Sequence, residues 1–67
     1  MSVTEFILLI FMTYNGEIFT QVDEHKFLKE SACDSHAIDE AIPEIEQGSP
    51  SGAQFRHICL PITTESV

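Results

Sequence analysis

The dipeptide Asn15-Gly16 constrains this chain more than any other feature of its sequence. Both central residues of a two-residue type I′ turn need positive φ, and Asn followed by Gly meets that demand at the least steric cost. The turn predicts a β-hairpin, with residues 5–14 on its left and residues 17–26 on its right. A two-residue loop sets Tyr14 opposite Glu17, Met12 opposite Phe19 and Ile10 opposite Gln21. Continued without a break, the same register sets Glu5 opposite Lys26, an opposite-charge pair worth about 0.2–1 kcal/mol. The left strand is apolar on both faces, as expected of a central strand covered from two sides. The right strand alternates less cleanly and reads as an edge strand with a wet outer half.

A helix is predicted next. Ser31 with Asp34 three residues on has the spacing of a capping box. Cys33, Ala37, Ala41 and Ile45 step by four, with Ile38 and Ile42 beside them, and together they form one apolar arc. Pro43 has no N–H to give the carbonyl of Asp39 and disfavours helical angles at Ile42. A straight continuation would also carry Glu44 into the apolar arc. A kink or stop near Ile42 is therefore expected, with a short turn after it. Residues 47–53, rich in Gly, Ser and Pro, read as a loop. Residues 54–62 read as a third strand, with Ile58, Leu60 and Ile62 on one side and Phe55, His57 and Cys59 on the other. Pro61 suits only an unpaired or edge position. The expected architecture is α+β: a three-stranded antiparallel sheet, hairpin plus C-terminal strand, with one helix packed on it in the order β-β-α-β. Residues 1–62 form the single small domain, and residues 63–67 a frayed tail.

Charge then bounds function. Eleven acidic residues stand against three basic ones in 67 residues, a net charge of −8. Lys26, Lys29 and Arg56 are too few to neutralise a nucleic-acid backbone, and an anionic membrane surface repels such a chain. With 43% of residues apolar, the chain is too hydrophobic for a disordered acidic tail. The apolar run over residues 6–12 is far shorter than the roughly 20 residues a membrane-spanning helix needs. Glu5 stands where a signal peptide carries Lys or Arg, and no small-residue cleavage site follows. A cytoplasmic location is expected. In that compartment Cys33 and Cys59 are by default two buried thiols, with a disulfide between them as the alternative.

Two constellations could carry chemistry. Cys33 and His36 share a helix face, and His57 and Cys59 share a strand face. Together they are a conceivable Zn²⁺ set, although Cys-x2-His with His-x-Cys is not an established zinc spacing. Core cysteines with two half-exposed histidines explain the same residues more simply. A Cys–His nucleophile drawn from them lacks a third orienting group and a concave site. There is no glycine-rich phosphate loop and no aromatic ladder beside basic residues. The expectation is a non-enzymatic protein without a cofactor.

What remains is a stretch with Glu30, Asp34, Asp39, Glu40, Glu44 and Glu46 and no Lys or Arg among them. One reading is a solvated face that keeps a small protein in solution. The other is a surface that imitates nucleic-acid charge and binds a host protein with a basic surface, through Asp39, Glu40, Glu44 and Glu46. Self-association through a strand edge is a further possibility, so monomer and homodimer both stay open.

The apolar strand at 6–12, the turn glycine Gly16, Cys33 early in the helix and Cys59-Leu60-Pro61-Ile62 in the last strand resemble a pattern in short enterobacterial, prophage and phage proteins of unknown activity. This chain departs from them in its longer inter-cysteine stretch and its acidic helix. The resemblance implies the fold and a two-cysteine core. By class alone, size and acidity are similar to phage inhibitors of host defence complexes, anti-CRISPR proteins among them.

Overall fold

A computed structural model describes residues 2–65. Strands β1 (Ser2–Tyr14), β2 (Glu17–Phe27) and β3 (Gln54–Glu65) form one antiparallel sheet in the order β2-β1-β3. Between β2 and β3 a single helical rod crosses one face of the sheet. It comprises α1 (Glu30–His36), a π-helical turn (Ala37–Ala41) and α2 (Ile42–Gln47). This is the expected α+β architecture in the order β-β-α-β.

The hairpin follows the turn chemistry. Asn15 and Gly16 have φ of 53° and 81°, and the register runs as expected from Tyr14↔Glu17 through Leu9↔Val22. It then slips. Ile7 pairs with Lys26 and Phe6 with Phe27, so Asp23, Glu24 and His25 stand together opposite Leu8. The cause is local: an Asp23 carboxylate oxygen accepts the backbone N–H of His25 at 2.9 Å, an Asx-type turn that bunches the strand into a bulge. The expected Glu5–Lys26 pair is thereby lost, since Lys26 faces Ile7 and Glu5 faces only Ile62 of β3.

Two helical expectations are also corrected, and of the kink or stop expected near Ile42 the stop does not occur while a π-helical irregularity does. Lys29, not Ser31, is the N-cap, and no side chain caps the helix; Asp34 is turned to His57 instead. The rod does not stop at Ile42. The N–H of Ile42 reaches the carbonyl of Ala37, five residues back, and this wider turn lets the chain pass Pro43 without the bond that proline cannot make. The inserted residue rotates the next turn of the rod, so Glu44 is exposed while Ile42 and Ile45 still pack on the core. Ile38, expected in the arc, is 60% exposed.

The core is small. Leu8, Ile10, Cys33 and Ala37 are buried, with Phe6, Phe27, Ala41, Ile42, Ile45 and Cys59 packed around them. Cys33 and Cys59 are joined in a disulfide with Cα atoms 6.1 Å apart, which ties α1 to β3 directly beside Leu8. The default of two buried thiols is corrected accordingly. β3 continues to Glu65, pairing Thr63–Glu65 with Ser2–Thr4, where a frayed tail was expected; Ser66 and Val67 of that tail lie outside the described residues.

β1 is central but covered on one side only. Its other face, with Ile7, Leu9 and Phe11, lies open beside Ile18 and Val22 of β2 and Ile58, Leu60 and Ile62 of β3. The helix thus covers the mixed side of β3 (Phe55, His57, Cys59) and leaves the apolar side in solvent.

Candidate functional site

The β2 bulge and the helix meet in one cluster of ionisable groups. Asp23 and His25 come from the bulge, and His36 from the last turn of α1. His25 Nδ1 lies 2.8 Å from Asp23 Oδ1, and His36 Nε2 lies 3.2 Å from Asp23 Oδ2. The other nitrogen of His36, Nδ1, is hydrogen-bonded to Glu40 Oε2 at 2.9 Å. Phe27 packs against the His36 ring, with centroids 5.3 Å apart. Burial alone would raise the Asp23 carboxyl. The backbone and ring hydrogen bonds from His25, the charge of that ring and the bond from His36 outweigh it and hold the group below the usual carboxylate range. A cleft of about 520 Å³ opens beside the cluster, between β2 and the helix, with Glu40 and Glu44 on its far wall.

A second group sits across the helix. Asp34 Oδ1 lies 3.0 Å from His57 Nε2 and 3.3 Å from Cys59 Sγ. The sulfur is bridged to Cys33 and has no proton to give, so His57 is the real partner of Asp34.

The zinc set Cys33, His36, His57 and Cys59 is not assembled. Cys33, His57 and Cys59 come together on the α1–β3 side, with both sulfurs consumed by the disulfide, whereas His36 turns toward Asp23. Asp23 and His25 did not stand out in the sequence because only the bulge aims them at His36. The usable signal was the Asp-x-His spacing, in which an Asp two residues before another residue can fold the strand back on itself.

The acidic residues divide. Asp39, Glu44 and Glu46 are exposed and make no hydrogen bond or ion pair among the described residues. Glu40, expected to act with them, has its carboxylate held by His36. Every side-chain ion pair among the described residues uses a histidine; Lys26, Lys29 and Arg56 neutralise none of the acids. No described helix is long and apolar enough to cross a membrane. No protein-family model, curated protein or solved structure matches the chain.

Proposed function

We propose that this α+β protein is a non-enzymatic binding module that docks its acidic helix onto a basic surface of a nucleic-acid-handling host protein and inhibits it. The observation that carries the reading is the exposure of Asp39, Glu44 and Glu46 on a helical rod that contains no Lys or Arg. Uncancelled charge on one element attracts a basic groove at long range and repels other acidic surfaces. Glu40 contributes to the field, but its hydrogen bond to His36 makes it a weaker contact residue than the other three.

The test is affinity capture from a host lysate with the wild-type chain and with D39K/E44K/E46K, both shown folded by circular dichroism. The expected partner is a basic nucleic-acid-binding protein released by moderate salt, displaced by duplex DNA, and not captured by the variant. Capture that the triple variant retains, or that duplex DNA does not disturb, overturns the proposal.

A second reading rests on a different surface. On the open sheet face Ile18 is 69% exposed, Val22 56%, Ile58 50%, Leu60 44% and Ile62 40%. Three paired strands of this length present a face of about 40 by 14 Å. Two copies stacked through it would bury roughly 1,100 Å², close to the lower bound for a specific interface of about 1,200 Å². Stacking would also leave both acidic helices outermost, where they repel least. The occupant in this reading is a second copy, face to face rather than edge to edge. Sedimentation velocity should then show a reversible dimer that Ile58→Glu dissociates; a monomer at the highest workable concentration rejects it.

A further inference from the structure

We infer that Asp23, His25 and His36 form a binding site for a divalent transition-metal ion of the zinc class, a role separate from the acidic helix surface. The donor set is two imidazoles and one carboxylate, the ligand chemistry that zinc, copper, nickel and iron favour and that magnesium and calcium do not. Their donor atoms all lie within 4.8 Å of one another. Ligands about 2.0–2.2 Å from a tetrahedral ion stand about 3.3 Å apart. His36 Nε2, 3.2 Å from Asp23 Oδ2, is close to that spacing, and His25 Nδ1, hydrogen-bonded to the other carboxylate oxygen at 2.8 Å, needs to draw back by about half an ångström as the ion replaces the shared proton. The two imidazole donors lie within 4.8 Å of each other, and the 75% exposed His25 ring is free of the packing that would oppose closing that gap.

The surroundings hold the ligands from behind. The Asp23 turn fixes the bulge that presents both β2 ligands. Glu40 grips the far nitrogen of His36 and leaves Nε2 aimed into the site, the carboxylate–histidine relay that commonly orients metal-bound imidazoles. Phe27 fixes the plane of the His36 ring. The disulfide anchors the helix three residues before His36. All three donors line the cleft, which leaves room for water or a donor from a bound partner to complete the coordination. The net charge of −8 raises the local concentration of any cation. The cluster of Asp34, His57 and Cys59 has no such standing while Cys59 is bridged, because it then offers only two ligands.

The experiment is isothermal titration of the full chain, disulfide intact, with Zn²⁺ in a non-coordinating buffer, alongside NMR of the histidine ring nitrogens. The expected result is one ion per chain, unaffected by millimolar Mg²⁺, with His25 Nδ1 and His36 Nε2 shifting on saturation. His25→Ala and His36→Ala should each weaken binding at least tenfold, and Glu40→Gln by roughly tenfold through His36. His57→Ala should leave affinity unchanged. Should His36→Ala fail to fold without the packing on Phe27, His25→Ala decides the matter, because its ring is 75% exposed and supports little of the fold. Absence of saturable binding, equal competition by Mg²⁺, or binding that survives His25→Ala overturns the assignment, and loss on His57→Ala with retention in His25→Ala moves the metal to the other cluster.

Discussion

At the residue scale, a few side chains carry the fold, and position in the core rather than hydrophobicity alone picks them out. Leu8 has no exposed surface and sits against the disulfide, whereas Ile38, larger than the buried Ala37 next to it, points into solvent. Leu8→Ala should therefore cost about 2–5 kcal/mol by leaving a cavity. Ile38→Ala should change stability by roughly 0.5 kcal/mol or less. Urea unfolding of the two variants against wild type checks this contrast, and equal losses would mean the helix is rotated relative to the sheet. The Cys33–Cys59 bond closes a loop of 26 residues' separation. Removing it, by reductant or by the double serine variant, should lower stability by about 3.5 kcal/mol on the loop-entropy account. Unfolding midpoints with and without reductant measure that loss directly.

At the element scale, two irregularities turn a simple β-β-α-β chain into one with a built site. The β2 bulge rotates Asp23 and His25 toward the helix, and the π turn steers the rod past Pro43 while Ile42 and Ile45 stay on the core. Each has a local chemical cause, the Asx hydrogen bond in one case and the missing proline N–H in the other. The hairpin turn has its own strict requirement. A Cβ on Gly16 would meet no neighbouring atom, so any penalty there comes from φ alone. Gly16→Ala should cost about 1 kcal/mol for that reason, with the spectrum of the folded state unchanged. Thermal unfolding followed by circular dichroism reads it; a neutral result would mean the turn relaxes to a different type.

At the scale of the whole molecule, the unpaired acids of the rod and the aliphatic row of the open sheet face lie on opposite sides, although Glu5, Lys26 and Arg56 share that open face and Ile38 is exposed on the rod. Asp39, Glu44 and Glu46 stand on the helical side, and the sheet turns a row of branched aliphatic residues outward on the other. A molecule with this excess of unpaired carboxylates repels itself, and salt relieves the repulsion. Raising sodium chloride from about 0.01 M, where the screening length is about 30 Å, to about 0.1 M, where it is about 10 Å, should raise the melting temperature. Relief of about 1 kcal/mol corresponds to roughly 4–8 °C in a domain this small. Differential scanning calorimetry across that range is the check, and a flat response would show that the acids are spaced too widely to interact.

Much of the fold was legible because its causes are local. Asn15-Gly16 set the hairpin and its register as far as Leu9↔Val22, the step of four from Cys33 to Ile45 marked the helix, and alternation marked β3. What stayed hidden depended on choices between faces and partners that no single segment contains. Alternation placed Phe55, His57 and Cys59 together, but only the docked helix decided that this side of β3, and not Ile58, Leu60 and Ile62, would be covered. The cysteines allowed one pairing, and packing of α1 over β3 brought them to bonding distance. His36 appeared as a companion of Cys33 in sequence; in space the bulge supplied Asp23 and His25 as its neighbours. The chain by itself thus determined the elements, since backbone conformation answers to adjacent residues, while the tertiary structure decided the site, because three side chains from two elements converge only when burial of a shared core fixes how those elements lie.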